Sequence, residues 1–167
     1  MAGQRPTTRE QREQTNHDLF FPFSKAALTS VQYMPLFTAE IDTVIEYASL
    51  RFGVGGGGAR TVKLSYAASG TAPSAAQAIT TTLSVNAPTV DVNYPTEPDR
   101  AATAAQASAR NWAFLDSAGN AITYGASSLP GFNVVPAGAT VYVVFSDATV
   151  GNLDGVALTM RTTQKIK

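Results

Sequence analysis

From Asn111 to Arg161 the chain alternates short apolar runs with turn-forming clusters, a pattern that reads as a series of short strands. Trp112-Ala113-Phe114-Leu115 leads into Asp116-Ser117-Ala118-Gly119-Asn120, and Ala121-Ile122-Thr123-Tyr124 follows. An Asp that opens a turn accepts a local backbone hydrogen bond, and a Gly near its end supplies the positive φ that a tight turn needs. Phe132, Val134 and Val135 run into a second turn, Pro136-Ala137-Gly138. Thr140–Phe145 is almost continuously apolar, as suits a strand buried on both faces, and Val156–Arg161 closes the pattern.

Upstream, alternation is less clean. In Ile41–Phe52 the residues Val44, Ala48, Leu50 and Phe52 point one way, and Asp42 falls on the same face. Glu, Ala and Leu permit a helix over 38–50, but the β-branched and aromatic residues leading into Phe52 favour a strand. Gly53–Gly58 then turns the chain and Thr61–Tyr66 alternates as a return strand, which predicts a hairpin. Further strands are predicted over 78–85 and 89–94, ended by Pro95 and Pro98. The Ala-rich stretch Asp99–Ala109 reads either as a short helix, with Thr96 and Asp99 resembling a capping box, or as a loose connection. Eight or nine strands at this turn spacing predict an all-β fold, an antiparallel β-sandwich or jelly roll, over residues 26–167.

Residues 1–25 read differently, as an extended N-terminal arm. Met1–Asp18 carries Arg5, Arg9, Glu10, Arg12, Glu13 and Asp18 with almost no apolar residue, too little to offset its own ordering entropy. Such a segment is expected to be disordered alone and to become an extended strap against a neighbour. Leu19, Phe20, Phe21 and Phe23 then form an abrupt aromatic cluster. They are candidate partner-binding residues; plugging the edge of the domain's own core is the competing role.

Composition removes several function classes. There is no cysteine, so disulfides, thiolate metal sites and cysteine nucleophiles are excluded. Twelve basic and 12 acidic residues cancel, and Arg161, Lys165 and Lys167 at the tail are too few for the counterion release on which nucleic-acid binding depends. No apolar run approaches the ~18–20 residues that span a bilayer. Met1–Gln14 has no apolar stretch of the kind that makes a secretory signal, so synthesis in the cytoplasm is expected. Charged residues are only 14%, against the ~25% usual in soluble domains, and Ala, Thr, Gly, Ser and Val fill the difference. That surface suits either an assembled protein or an ordinary β-rich extracellular domain.

Motifs for chemistry are weak. Gly53-Val54-Gly55-Gly56-Gly57-Gly58 matches G-x-G-x-x-G, but a strand pattern follows where a dinucleotide site needs a helix, and the next acidic residue is Asp91. His17 is the single histidine and lies in the polar arm, a poor place for a triad base or a zinc ligand. Glu40, Asp42 and Glu46 would share one strand face, either as a solvated surface or as the carboxylate pair of a hydrolase. Asp147, Asn152 and Asp154 flank a loop that offers oxygens to calcium without an EF-hand spacing. No catalytic residue, cofactor or metal is therefore assigned.

The segments Phe114–Ile122, Val135–Tyr142 and Leu153–Thr159 resemble small accessory structural proteins of tailed bacteriophages, the capsid decoration or cement proteins above all. That resemblance implies a virion protein on the capsid surface. It would bind the major capsid protein or other virion subunits as a homo-oligomer, a trimer being the first guess, with an arm reaching adjacent subunits and no nucleic-acid or membrane partner. A carbohydrate- or receptor-binding module of a tail or fibre is the alternative, with Tyr33, Tyr94, Trp112 or Tyr124 as a sugar platform. A carboxylate-based hydrolase using two of Glu40, Asp42 and Glu46 is the third reading.

Overall fold

The computed structural model describes residues 14–21, 31–54, 60–84, 93–95, 112–122, 133–147 and 154–164, and everything below concerns these. They form ten strands: β1 (Gln14–Phe21), β2 (Gln32–Thr38), β3 (Thr43–Val54), β4 (Arg60–Ala67), β5 (Gln77–Ala78), β6 (Leu83–Ser84), β7 (Asn93–Pro95), β8 (Val134–Val135), β9 (Thr140–Asp147) and β10 (Asp154–Gln164). One short 3-10 turn spans Pro73–Ala75, and there is no α-helix among the described residues. The fold is all-β, as the alternation predicts.

The strands make two antiparallel sheets. Sheet A has the order β1-β10-β3-β7, with β8 also on β3; sheet B has the order β2-β9-β4-β5, with β6 also on β4. Their inward rows meet in one core. Leu50 and Phe52 on β3 and Leu158 and Met160 on β10 pack with Val62 and Leu64 on β4 and Val141, Val143 and Phe145 on β9. Each of these is essentially unexposed, so each contributes about 1.5–3 kcal/mol of burial. On the opposite face of β9, Val144 is also buried while Tyr142 is only partly so, which explains the nearly unbroken apolar run there.

The predicted hairpin over 41–66 is corrected by the topology. β3 and β4 lie in different sheets, β3 against β10 and β4 against β9, so the segment that contains the glycines joins two sheets rather than turning one ladder. Alternation reports which face a strand buries and not its hydrogen-bond partner, so both arrangements fit the same pattern. The face assignment in β3 changes too. Arg161 pairs with Tyr47 but Thr162 with Ile45, leaving Glu46 as an extra residue, a β-bulge that shifts the parity. The core row is therefore Ile45, Ala48, Leu50 and Phe52, and Val44 lies outside it.

The strand predicted over 78–85 is broken into β5 and β6. In the gap Thr80 bridges to Phe114, and Thr81 N–H donates to the Ala113 carbonyl at 2.7 Å while Ala113 N–H returns to Thr81 Oγ1 at 2.9 Å. The predicted turns hold. Asp116 Oδ1 accepts the N–H groups of Ala118 and Asn120 at 2.9 and 2.8 Å, and Gly119 has φ +83°. At the second turn Gly138 has φ +80° and its N–H donates to the Ala39 carbonyl at 2.7 Å. Of the strand predicted over 89–94, β7 is the described part and includes Pro95; the Asp99–Ala109 stretch lies outside the described residues.

Candidate interaction surface

Among the described residues each sheet ends at one side in a long edge strand, β1 for sheet A and β2 for sheet B, and at the other in strands of two or three residues. Short edges offer little template for pairing; long ones present a row of backbone donors and acceptors. β2 carries Pro35, which has no N–H to offer, and its pairing with β9 shifts register between Pro35 and Phe37. Both features blunt that edge. β1 contains no proline and runs without a register shift against β10.

β1 takes in three of the four candidate partner-binding residues. Leu19 pairs with Leu158, Phe20 with Ala157 and Phe21 with Val156, while Phe23 lies outside the described residues. Residues 14–21 thus belong by backbone pairing to the domain's own sheet, although they fall inside the stretch read from sequence as an arm.

The other candidate sites separate. Glu40 and Asp42 precede β3 and Glu46 is the bulged residue, so the three do not share one strand face. Asp42 Oδ1 accepts the Ala137 N–H at 3.1 Å, tying the turn before β3 to the turn before β9. A cleft of about 170 Å³ opens between Phe37–Glu40, Thr43, Thr162 and Gln164, with Glu40 its single ionisable group. It is well below the ~300–1,000 Å³ of ordinary ligand pockets. Asp147 ends β9 and Asp154 starts β10, Asn152 lies outside the described residues, and no group of three His, Cys, Asp or Glu able to hold a metal occurs among the described ones.

The sugar-platform aromatics also divide. Trp112 is 2% exposed and Tyr94 5%, with Tyr94 edge-on to Phe52 at 5.6 Å between ring centroids. Both are core residues and offer no face to a ligand; Tyr124 lies outside the described residues. Tyr33 on β2 is half-buried and pairs with Val144, and Tyr142, two residues along β9, is half-buried beside Pro35. Sequence reasoning missed Tyr142, although its place between Val141 and Val143 signals the opposite face. On sheet A, Arg161 lies over the Tyr47 ring at 5.7 Å from its centroid, a cation–π pair on the face away from the core. No protein-family model, no curated protein and no solved structure matches this chain.

Proposed function

We propose that the chain is a virion structural protein, a decoration or cement protein that binds the outside of a bacteriophage head and stabilises its lattice. The observation that carries this reading is the strand order. Through β4 the strands alternate sheets, β5 and β6 stay beside β4, β7 and β8 return to sheet A, and β9 and β10 alternate again. Such winding supports a jelly roll, an architecture recurrent in capsid and lectin domains. Fold alone does not fix function, so the reading also draws on the low charge content, the polar segment ahead of β1 and the resemblance of residues 114–159 to phage accessory proteins. It assigns no catalytic residue and no cofactor. Affinity comes from many weak contacts acting together across the lattice.

The test is incorporation into capsids by the full chain and by a variant lacking residues 1–13, a cut that leaves β1 whole. Loss of incorporation with an unchanged fold is expected. Unchanged incorporation would remove the arm from the mechanism. A second reading, a carbohydrate-binding module, draws on Tyr33 and Tyr142 on the outer face of sheet B. Glycan binding abolished by Tyr33→Ala and Tyr142→Ala would displace the first reading.

A further inference from the structure

We propose that β1 is an exchangeable strand, and that the β10 edge of one copy accepts the Gln14–Phe21 strand of a second copy of this chain. The proposal does not rest on the virion role; it rests on how β1 is attached. Its eight residues run antiparallel to β10 in unbroken register, from Gln14 against Thr163 to Phe21 against Val156. Among the described elements, β10 is the one that β1 packs against along its length. The chain has no cysteine to fasten the strand covalently. The next strand, β2, starts at Gln32 in the other sheet, so ten residues, 22–31, join β1 to the rest of the domain. A stretch of that length reaches up to ~33 Å, against the ~10 Å that separates packed sheets. The connection is thus long enough to carry β1 off its own sheet.

The occupant of the vacated edge is set by the ladder itself. A second copy's β1 restores the same backbone bonds and the same side-chain register opposite Val156–Thr163, so exchange between identical chains changes few contacts. What decides between self-pairing and exchange is then concentration. A strand on a short tether competes at an effective concentration on the order of ~1 mM. Dilute chains keep their own β1, whereas chains crowded in an assembly share theirs.

The absence of native cysteine makes a direct test available. Asp18 and Thr159 are cross-strand partners. One full-length chain carries Asp18→Cys and a second carries Thr159→Cys; they are mixed and oxidised. Thr71→Cys, in an exposed turn, replaces Asp18→Cys as the collision control. A third chain carries Asp18→Cys and Thr159→Cys together and reports self-pairing. The expected result is a disulfide heterodimer in excess over the control, its fraction rising about fivefold between ~0.1 and ~1 mM protein. No excess, with the double variant closing within one chain, overturns the proposal because β1 then stays on its own β10. Closure in neither experiment overturns it as well, because β1 would not lie on β10 at all. Neither failure touches the capsid-incorporation test.

Discussion

Thr80 Oγ1 accepts the backbone N–H of Leu64 at 3.0 Å in the buried interior, so a side chain completes the ladder of β4 in the gap between β5 and β6. The Leu64 carbonyl is satisfied from the same stretch, accepting Ile79 N–H at 2.8 Å and Thr80 N–H at 3.3 Å. Freed from regular pairing, Thr80 and Thr81 bond instead to Ala113 and Phe114, which places Trp112 and Phe114 in the core.

Thr80→Val keeps the shape of the side chain and strands the Leu64 N–H without an acceptor. A buried unsatisfied donor costs about 1–3 kcal/mol. The urea midpoint should fall accordingly with an unchanged m-value, and Thr80→Ser, which keeps the oxygen, should lose less. No loss in Thr80→Val beside a clear loss in Thr80→Ser would show that the methyl group matters and the hydrogen bond does not.

Asp116 titrates below the ordinary carboxylate range. The Asn120 backbone N–H is the main cause, with its side-chain amide and the Ala118 and Gly119 N–H groups adding to it, while desolvation works the other way. A carboxyl lowered in the folded state stabilises fully above its unfolded value of about 3.9, and that contribution is lost as pH falls through the folded value. Denaturation from about pH 6 down to about pH 2 should show this dependence in the parent and less of it in Asp116→Asn. A carboxyl-carbon titration at the ordinary value would contradict the turn geometry.

Gly119 and Gly138 should tolerate alanine equally badly. Their φ angles are +83° and +80°, and among the described residues an added Cβ would meet nothing within 4 Å at the first and only Ser69 Cβ, at 4.0 Å, at the second. The cost is backbone strain alone, about 1–2 kcal/mol each. A much larger loss at one site, read by thermal denaturation, would mean that something besides φ is disturbed there.

Two N-terminal truncations should behave differently. Removing residues 1–13 keeps the β1–β10 ladder and should leave stability unchanged. Removing residues 1–21 strips the ladder from β10, lowering the melting temperature and exposing a long sheet edge that promotes association. Equal stability of the two chains, measured by calorimetry, would mean that β1 adds nothing to the fold.

Trp112 is the sole tryptophan and is buried, so its emission should be blue-shifted in the native state and insensitive to added glycans. Its Nε1 has no hydrogen-bond partner among the described residues, so Trp112→Phe forfeits packing volume and no bond to any of them. We expect about 1.5 kcal/mol or less for Trp112→Phe, and about 3–5 kcal/mol for Trp112→Ala. Glycan-dependent quenching would place the indole at a surface and contradict this packing.

The amino-acid sequence alone determined the strand character of β8, β9 and β10 and the turns at 116–120 and 136–138, whereas the strand predicted over 112–115 and the described part of the one over 121–124 form only isolated bridges. Those features are local: alternation selects a face, Asp116 bonds within its own turn, and glycine alone takes positive φ cheaply. Tertiary structure decided the rest. It sent β3 and β4 to different sheets, paired Gln14–Phe21 with β10, set the bulge at Glu46, and buried Tyr94 and Trp112 while leaving Tyr33 and Tyr142 partly exposed. The physical reason is that ladder bonds are made by the same N–H and C=O groups at every residue. Any strand edge can serve any other, so the choice of partner falls to which arrangement closes the shared core around Leu50, Phe52, Leu158 and Phe145.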